Sequence, residues 1–221
     1  MPADRKTTII AIDPDRPEQV LIDEAVRILQ KGGVIAYPTE TFYALGADAG
    51  NAAAVERIFD IKGRPVRMPI ALIVGKQEDI QGMAAVVSPP SRLLMQAFWP
   101  GALTLLFPAA AAVLPRLTAG TGKIGIRVSS HPIAAALART LGRPLTSTSA
   151  NLSGEQEAST AGQVNERLRE GLDAIIDGGP THGQVSSTIL DVTGEPPILI
   201  REGAIPAAQV FAFLKKPQKE V

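Results

Sequence analysis

The chain has 221 residues, 45% of them hydrophobic, and carries 22 Lys+Arg against 22 Asp+Glu, with no cysteine and two histidines. These counts exclude disulfides, cysteine nucleophiles and thiolate zinc sites. They also leave His131 and His182, far apart in the chain, as a weak start for an imidazole metal site. Zero net charge argues against a surface that is one continuous nucleic-acid clamp, while leaving room for a local basic patch.

Chemistry here has to run on oxygen groups and cationic nitrogen. A chain of this length can bury about 70% of its unfolded surface, so a self-sufficient core is expected. The weakly polar stretch 102–114 contains Thr104 and Pro108 and falls short of the ~20 residues a spanning helix needs. The polar start, Met1 to Thr8, has no signal-peptide core. A cytoplasmic protein is expected.

Short apolar runs alternate with helical patterns. Thr7–Ile12 reads as a strand, and Pro17–Lys31 as an amphipathic helix with Leu21, Ala25, Ile28 and Leu29 on one side, stopped by Gly32 and Gly33. Val34–Tyr37 is the next strand. Asn51 then caps a helix with Val55, Ile58 and Phe59 at helical spacing, stopped by Gly63. Ile70–Val74 reads as a buried strand, and Ser88 with Pro89 starts a helix to Phe98.

Leu103–Phe107 and Ile124–Val128 are strands, Pro132–Leu141 a helix closed by Gly142, and Leu145–Ser147 a short strand before a polar loop. Thr160 and Gln163 read as a capping box for a helix ending near Gly171. Ala174–Asp177, Thr188–Val192 and Ile198–Ile200 are strands, and Pro206 opens a last helix. The tight turn Thr193–Pro196 makes its two strands antiparallel, so the expected architecture is α/β with a twisted, open, mixed parallel/antiparallel sheet and flanking helices. No linker or repeat divides the chain; one domain over 1–221, with its core at about 13–216, is expected.

Two phosphate-loop patterns fail on context. Gly120, Gly122 and Gly125 fit GxGxxG but run into a strand instead of opening a helix. A Walker loop around Lys123 lacks its first glycine, since Leu117 stands there, and Ile124 replaces the hydroxyl. His131 at a helix start and His182 in a Gly-rich loop read as turn or cap residues.

Three clusters look less like packing. Pro38, Thr39, Glu40 and Thr41 follow a strand, where α/β proteins bind ligands; the bland alternative is a Pro turn with threonines bonding the backbone. Lys62, Gly63, Arg64, Pro65, Val66 and Arg67 put three cations in a short turn. That suits a triphosphate, or simply complements a helix dipole. Thr146 to Asn151 places Ser147, Ser149 and Asn151 on one side of extended backbone, or else forms a solvated loop with an Asx turn.

In order, PTETFYALGAD, IFDIKGRP, FWPGALTL, GIRV, STSANLSG, SSTILD and IREGAI resemble the YrdC-like threonylcarbamoyl-adenylate synthases over nearly the whole chain. The resemblance implies a nucleotidyltransferase. It would form threonylcarbamoyl-AMP from L-threonine, bicarbonate or CO2 and ATP, releasing pyrophosphate, for threonylcarbamoyl modification of tRNA adenosine 37 by a partner transferase. It implies that Lys62, Arg64, Ser149 and Asn151 form the KxR and SxN signature, with Lys62 and Arg64 catalytic. Arg201 and, less directly, Lys123 would join them on ATP, while Thr39, Arg127, Ser147 and Ser187 would form the threonine pocket.

Mg²⁺ would arrive with ATP, and no residue is assigned as its ligand. Ala44, Met68 and Thr148 depart from the family's usual residues. A second reading stays open: a relative with little catalysis that binds nucleotide or structured RNA through the same basic concavity, including direct tRNA contact.

Overall fold

The computed structural model describes residues 7–181, 183 and 185–215, so His182 lies outside the described residues. The chain runs β1 (Thr8–Ala11), α1 (Gln19–Gln30), β2 (Ile35–Pro38), β3 (Tyr43–Gly46), α2 (Ala52–Lys62), β4 (Ala71–Ile73), α3 (Pro89–Phe98) and β5 (Leu103–Pro108). It continues through α4 (Pro115–Thr118), β6 (Lys123–Arg127), α5 (Pro132–Leu141), β7 (Leu145–Ser149), α6 (Ala161–Leu168), β8 (Ala174–Asp177), β9 (Thr188–Asp191), β10 (Ile198–Arg201) and α7 (Ala207–Lys215). No helix among the described residues is long and apolar enough to cross a membrane.

Local chemistry sets the boundaries. Asn51 Oδ1 accepts from Ala54 N–H at 3.1 Å, satisfying a free donor at the start of α2, and Gly63 ends that helix at φ 55°, where a Cβ would be strained. His131 caps α5 by accepting from Ile133 N–H at 3.3 Å. The Thr160 cap is present, but its expected reciprocal bond is displaced by one residue: Gln163 Oε1 accepts from Ser159 N–H. On α1 the buried stripe is Ile22, Ala25, Val26 and Leu29, rotated from the expected one, because Leu21 and Ile28 sit at its margins.

The ten strands form one mixed sheet in the order β1-β8-β2-β3-β7-β4-β6-β5-β9-β10. β1, β8 and β2 run parallel, as do β4 with β6 and β5 with β9; the other neighbours are antiparallel, including the tightly joined β9 and β10. Strand β3 is the element the sequence hides. All four of its residues are buried, so it lacks polar alternation, and it returns from β2 through a four-residue turn that reads as loop.

Because side chains alternate across a strand, each strand serves two layers. On one face Leu72, Leu103, Leu105, Phe107, Ile124, Ile126 and Leu190 pack against α2, α3, α4, α6 and α7 in the larger core. On the other, α1 and α5 cover Ile10, Ile35, Tyr37, Ala44, Ile73, Leu145, Ala174 and Ile176. The second half of that face carries Thr104, Arg127, Ile189 and Asp191, out of register with the core residues and left without a covering helix. The site lies in this uncovered half.

Candidate active site

A cavity of about 260 Å³ opens over the bare part of the sheet. Its walls come from the β2–β3 turn (Thr39, Thr41, Phe42), the segment before β4 (Arg64, Met68, Pro69), and the strands β5 (Thr104), β6 (Arg127) and β7 (Ser147, Thr148, Ser149). Ser187 and Arg201 close it from the sheet's far side. A wider groove of about 710 Å³ shares Phe42, Ser149 and Glu157 with it and continues to Asn151, Gln156 and Gln163.

All four residues expected to bind threonine meet in the inner cavity. Thr39 does so while also serving its turn, since its hydroxyl donates to Phe42 O at 2.7 Å and accepts from Thr41 N–H. The turn role of that cluster is met, and it leaves Thr39 on the cavity wall. Arg127 is 5% exposed, and its Nε stands 3.1 Å from Glu40 Oε1. Ser187 shares a 3.0 Å hydrogen bond with Thr104 across the sheet. Its carbonyl accepts from Arg201 Nε and Nη2.

The residues expected on ATP divide into four groups, one of them Asn151 alone in the outer groove. Arg64, Ser149 and Arg201 line the inner cavity with the threonine set. Arg64 is braced by its own loop, donating to Met68 O at 3.2 Å and Pro69 O at 2.8 Å, and burial lowers its proton affinity. Burial also lowers Arg201, an effect that Glu157 opposes and Arg127 reinforces.

Lys62 sits behind the wall, 2% exposed. Its ammonium donates to Ser149 O, to Asn151 O at 2.7 Å and to Asn151 Oδ1 at 3.2 Å. Three acceptors match the three donors of an ammonium. Burial, helped by the Arg64 charge and opposed by Glu157, pushes Lys62 down to about 7. Here Lys62 ties the Ser149–Asn151 loop to the end of α2.

Lys123 stands apart from the cavity lining. It lies four residues before Arg127 on β6, ~13 Å along the strand, and its Nζ pairs with Asp191 Oδ2 at 2.6 Å. Burial alone would raise the Asp191 carboxyl, but bonds from Lys123 and Thr193 hold it below the usual carboxylate range.

Sequence reasoning gave no role to Glu157 or Thr104, and Glu40 enters there only as a member of the Pro38–Thr41 cluster. Glu157 lines both spaces and accepts from Ser186 Oγ at 2.7 and 2.9 Å. Thr104 was detectable as the polar interruption in LTLLF, on the face opposite Leu103 and Leu105. Ala44, Met68 and Thr148 all line the cavity, so the departures from the usual family residues fall at the site itself. Among the described residues, no group of three or more His, Cys, Asp or Glu could by itself hold a metal ion.

A mixed sheet with helices on one face and a half-covered second face, where arginines converge with hydroxyls, defines an α/β protein with a polar, cation-lined cavity over the bare part of its sheet. The family model Sua5_yciO_yrdC, described as "Telomere recombination", matches residues 27–203, and the chain belongs to this family. It is 39% identical over 194 residues to a threonylcarbamoyl-AMP synthase of Bacillus subtilis, covering 87% of this chain and 56% of that one. The crystal structure of Pyrococcus abyssi Sua5 complexed with L-threonine superposes with a TM-score of 0.92 at 35% identity, over 95% of this chain and 61% of that one. Escherichia coli YciO superposes with a TM-score of 0.83 at 35% identity, over 93% of this chain and 99% of that one. The chain thus spans about three fifths of the first two relatives and nearly the full length of the third.

Proposed function

We propose that this protein is an L-threonylcarbamoyl-AMP synthase, a cytoplasmic nucleotidyltransferase. It would condense L-threonine, bicarbonate or CO2 and ATP, release pyrophosphate, and supply a partner transferase that modifies adenosine 37 of tRNA. One observation carries the reading: a cavity of amino-acid scale, walled by Arg127, Thr39, Ser147 and Ser187, opens beside Arg64, Ser149 and Arg201 and runs into a larger groove. The relatives' names and the threonine bound by the Pyrococcus protein support it.

Arg127 suits the substrate carboxylate, because a guanidinium fork meets two carboxylate oxygens at once. The surrounding hydroxyls suit threonine's own hydroxyl and amine. In the reaction the threonine amine bonds to the carbon of CO2 and loses a proton, giving a carbamate. A carbamate oxygen then attacks the α-phosphorus of ATP, and the bond to the bridging oxygen breaks to release pyrophosphate.

The substrate brings its own nucleophile, so a chain without cysteine and with two histidines loses nothing. Rate comes from holding carbamate and phosphate in line, a contribution of roughly 7–11 kcal/mol for well-oriented groups. Arg64 and Arg201 oppose the charge that develops, and Lys62 fixes the Ser149–Asn151 loop against the phosphates. Mg²⁺ carried on the ATP phosphates would neutralise part of that charge. Such an ion keeps most of its ligands as water and phosphate, and Glu157 is a carboxylate in the right wall to contribute one more.

The test is pyrophosphate release from purified protein with ATP, Mg²⁺ and bicarbonate, with and without L-threonine. Release that requires both threonine and bicarbonate is the expected result. Release that ignores threonine, or none at all, refutes the proposal.

A further inference from the structure

Glu40 lies between Thr39 and Thr41, both of which line the cavity, yet Glu40 itself does not. It stands behind Arg127, and its two oxygens have separate tasks. Oε1 is 3.1 Å from Arg127 Nε. Oε2 accepts a hydrogen bond from Ser129 Oγ, which in turn accepts from His131 N–H, the cap residue of α5. The carboxylate is therefore anchored to the covering helix on one side and faces the guanidinium on the other.

The pair is close but unaligned. Nε and Oε1 are both inaccessible, and neither makes a hydrogen bond of ordinary geometry, so the 3.1 Å contact is Coulombic rather than directional. The two side chains are only 6% and 13% exposed. A guanidinium this deep needs a compensating charge, and no other carboxylate forms an ion pair with Arg127 among the described residues. An arginine can grip a carboxylate by its Nε side or by its two terminal nitrogens. Glu40 stands on the Nε side, as a charge contact without a formed hydrogen bond, and leaves the terminal nitrogens for the cavity.

We infer that Glu40 is a positioning residue for amino-acid recognition: it fixes the Arg127 guanidinium so that the terminal nitrogens meet the ligand's carboxylate. The inference rests on the synthase reading, which places a carboxylate ligand on Arg127, and it adds the residue that sets the grip. A plain charge argument predicts the opposite sign, because deleting an anion beside a cation should strengthen attraction for an anionic ligand. Burial decides between them. Without Glu40 no ion pair among the described residues holds the guanidinium in its slot, and loss of orientation outweighs the gain in potential.

The experiment measures binding of L-threonine and of L-threoninamide, which lacks the carboxylate charge, to wild type, Glu40→Gln and Ser129→Ala by titration calorimetry. Wild type should prefer L-threonine. Glu40→Gln should weaken L-threonine about tenfold or more while leaving L-threoninamide and ATP within about twofold, collapsing the preference. Ser129→Ala, which frees Glu40 without removing its charge, should move the same way by a smaller factor, and it carries the test if Glu40→Gln fails to fold.

In steady state KM for threonine should rise, with kcat at saturating threonine within about threefold of wild type. Unchanged or tighter L-threonine binding in the variants overturns the inference, and so does equal weakening of both ligands, which a merely structural role would give. Wild type that binds no L-threonine refutes the synthase reading itself, and this inference with it. Wild type that binds while the variants match it refutes the role of Glu40 alone.

Discussion

Lys62→Met removes a buried ammonium while keeping an unbranched stem of similar length. Asn151 O and Asn151 Oδ1 lose their donor, while Ser149 O keeps a second one, Asn151 N–H at 3.0 Å. A buried acceptor left unpaired costs about 1–3 kcal/mol, so for two of them the loss is about 2–6 kcal/mol. Against this stands the cost of burying the charge. Lys62 is pushed from 10.5 to about 7, and at about 1.4 kcal/mol per unit the wild type carries roughly 5 kcal/mol that the variant does not.

The two effects leave a net change between about −3 and +1 kcal/mol, within the 5–15 kcal/mol a domain typically has. The variant should stay folded in urea titrations yet lose its hold on the Ser149–Asn151 loop, lowering threonine-dependent pyrophosphate release more than about 100-fold. The pH dependence has a definite sign. Native Lys62 sheds its proton near 7, while the unfolded chain keeps it to about 10.5. Above pH 7 the unfolded state thus binds more protons, and wild-type stability should rise relative to the variant by up to about 1.4 kcal/mol per pH unit. A variant keeping a tenth of wild-type turnover would refute the loop-tie role. A stability difference flat from pH 7 to 9.5 would refute the burial-driven shift and mean that the three acceptors keep the ammonium charged.

Arg127→Lys trades the planar fork for a point charge, and KM for L-threonine should rise about 10- to 100-fold with little change in KM for ATP; an equal rise in both would refute the carboxylate assignment. Gly203→Ala puts a Cβ 2.2 Å from Ser186 O and 2.6 Å from the Ser187 carbonyl carbon. It should cost about 1–3 kcal/mol in urea unfolding and weaken threonine binding by displacing Ser187, whereas wild-type stability and affinity would show that the backbone yields freely. Asn51→Ala, remote from the cavity, should lower stability by about 1 kcal/mol through the lost cap and leave turnover unchanged.

Much of the fold was legible because its signals are local. Asn51, Gly63, Pro132 and Gly142 mark helix ends by chemistry that acts within a few residues. The antiparallel pairing of β9 and β10 follows from the turn between them. β3 was not legible, since a strand buried on both faces carries no period, and neither was the extension of β7 to Ser149, whose hydroxyl run looks like loop.

At the site, the residue types could be read but their depth could not. Lys62 and Arg64 are two positions apart in a cationic turn, yet one is enclosed by carbonyls and the other lines the cavity. Lys123 shares a strand with Arg127 but is separated from it by the strand's length and held by Asp191. Glu40 could be seen in PTET, but its partner Arg127 lies 87 residues on, a juxtaposition that only the crossing of β2, β3, β7, β4 and β6 creates.

The half-covered sheet works as a partition wall. Residues that touch along one strand, such as Thr104 and Leu105 or Arg127 and Ile126, answer to different constraints. Substitutions at Ala71, Thr104 and Ile189 can reshape what the cavity accepts without reopening the packing of α2, α3 and α6 behind them. Ligand preference on this scaffold can therefore diverge without repacking the larger core, and on the proposed synthase reading a library confined to those three positions is a direct route to other amino-acid ligands.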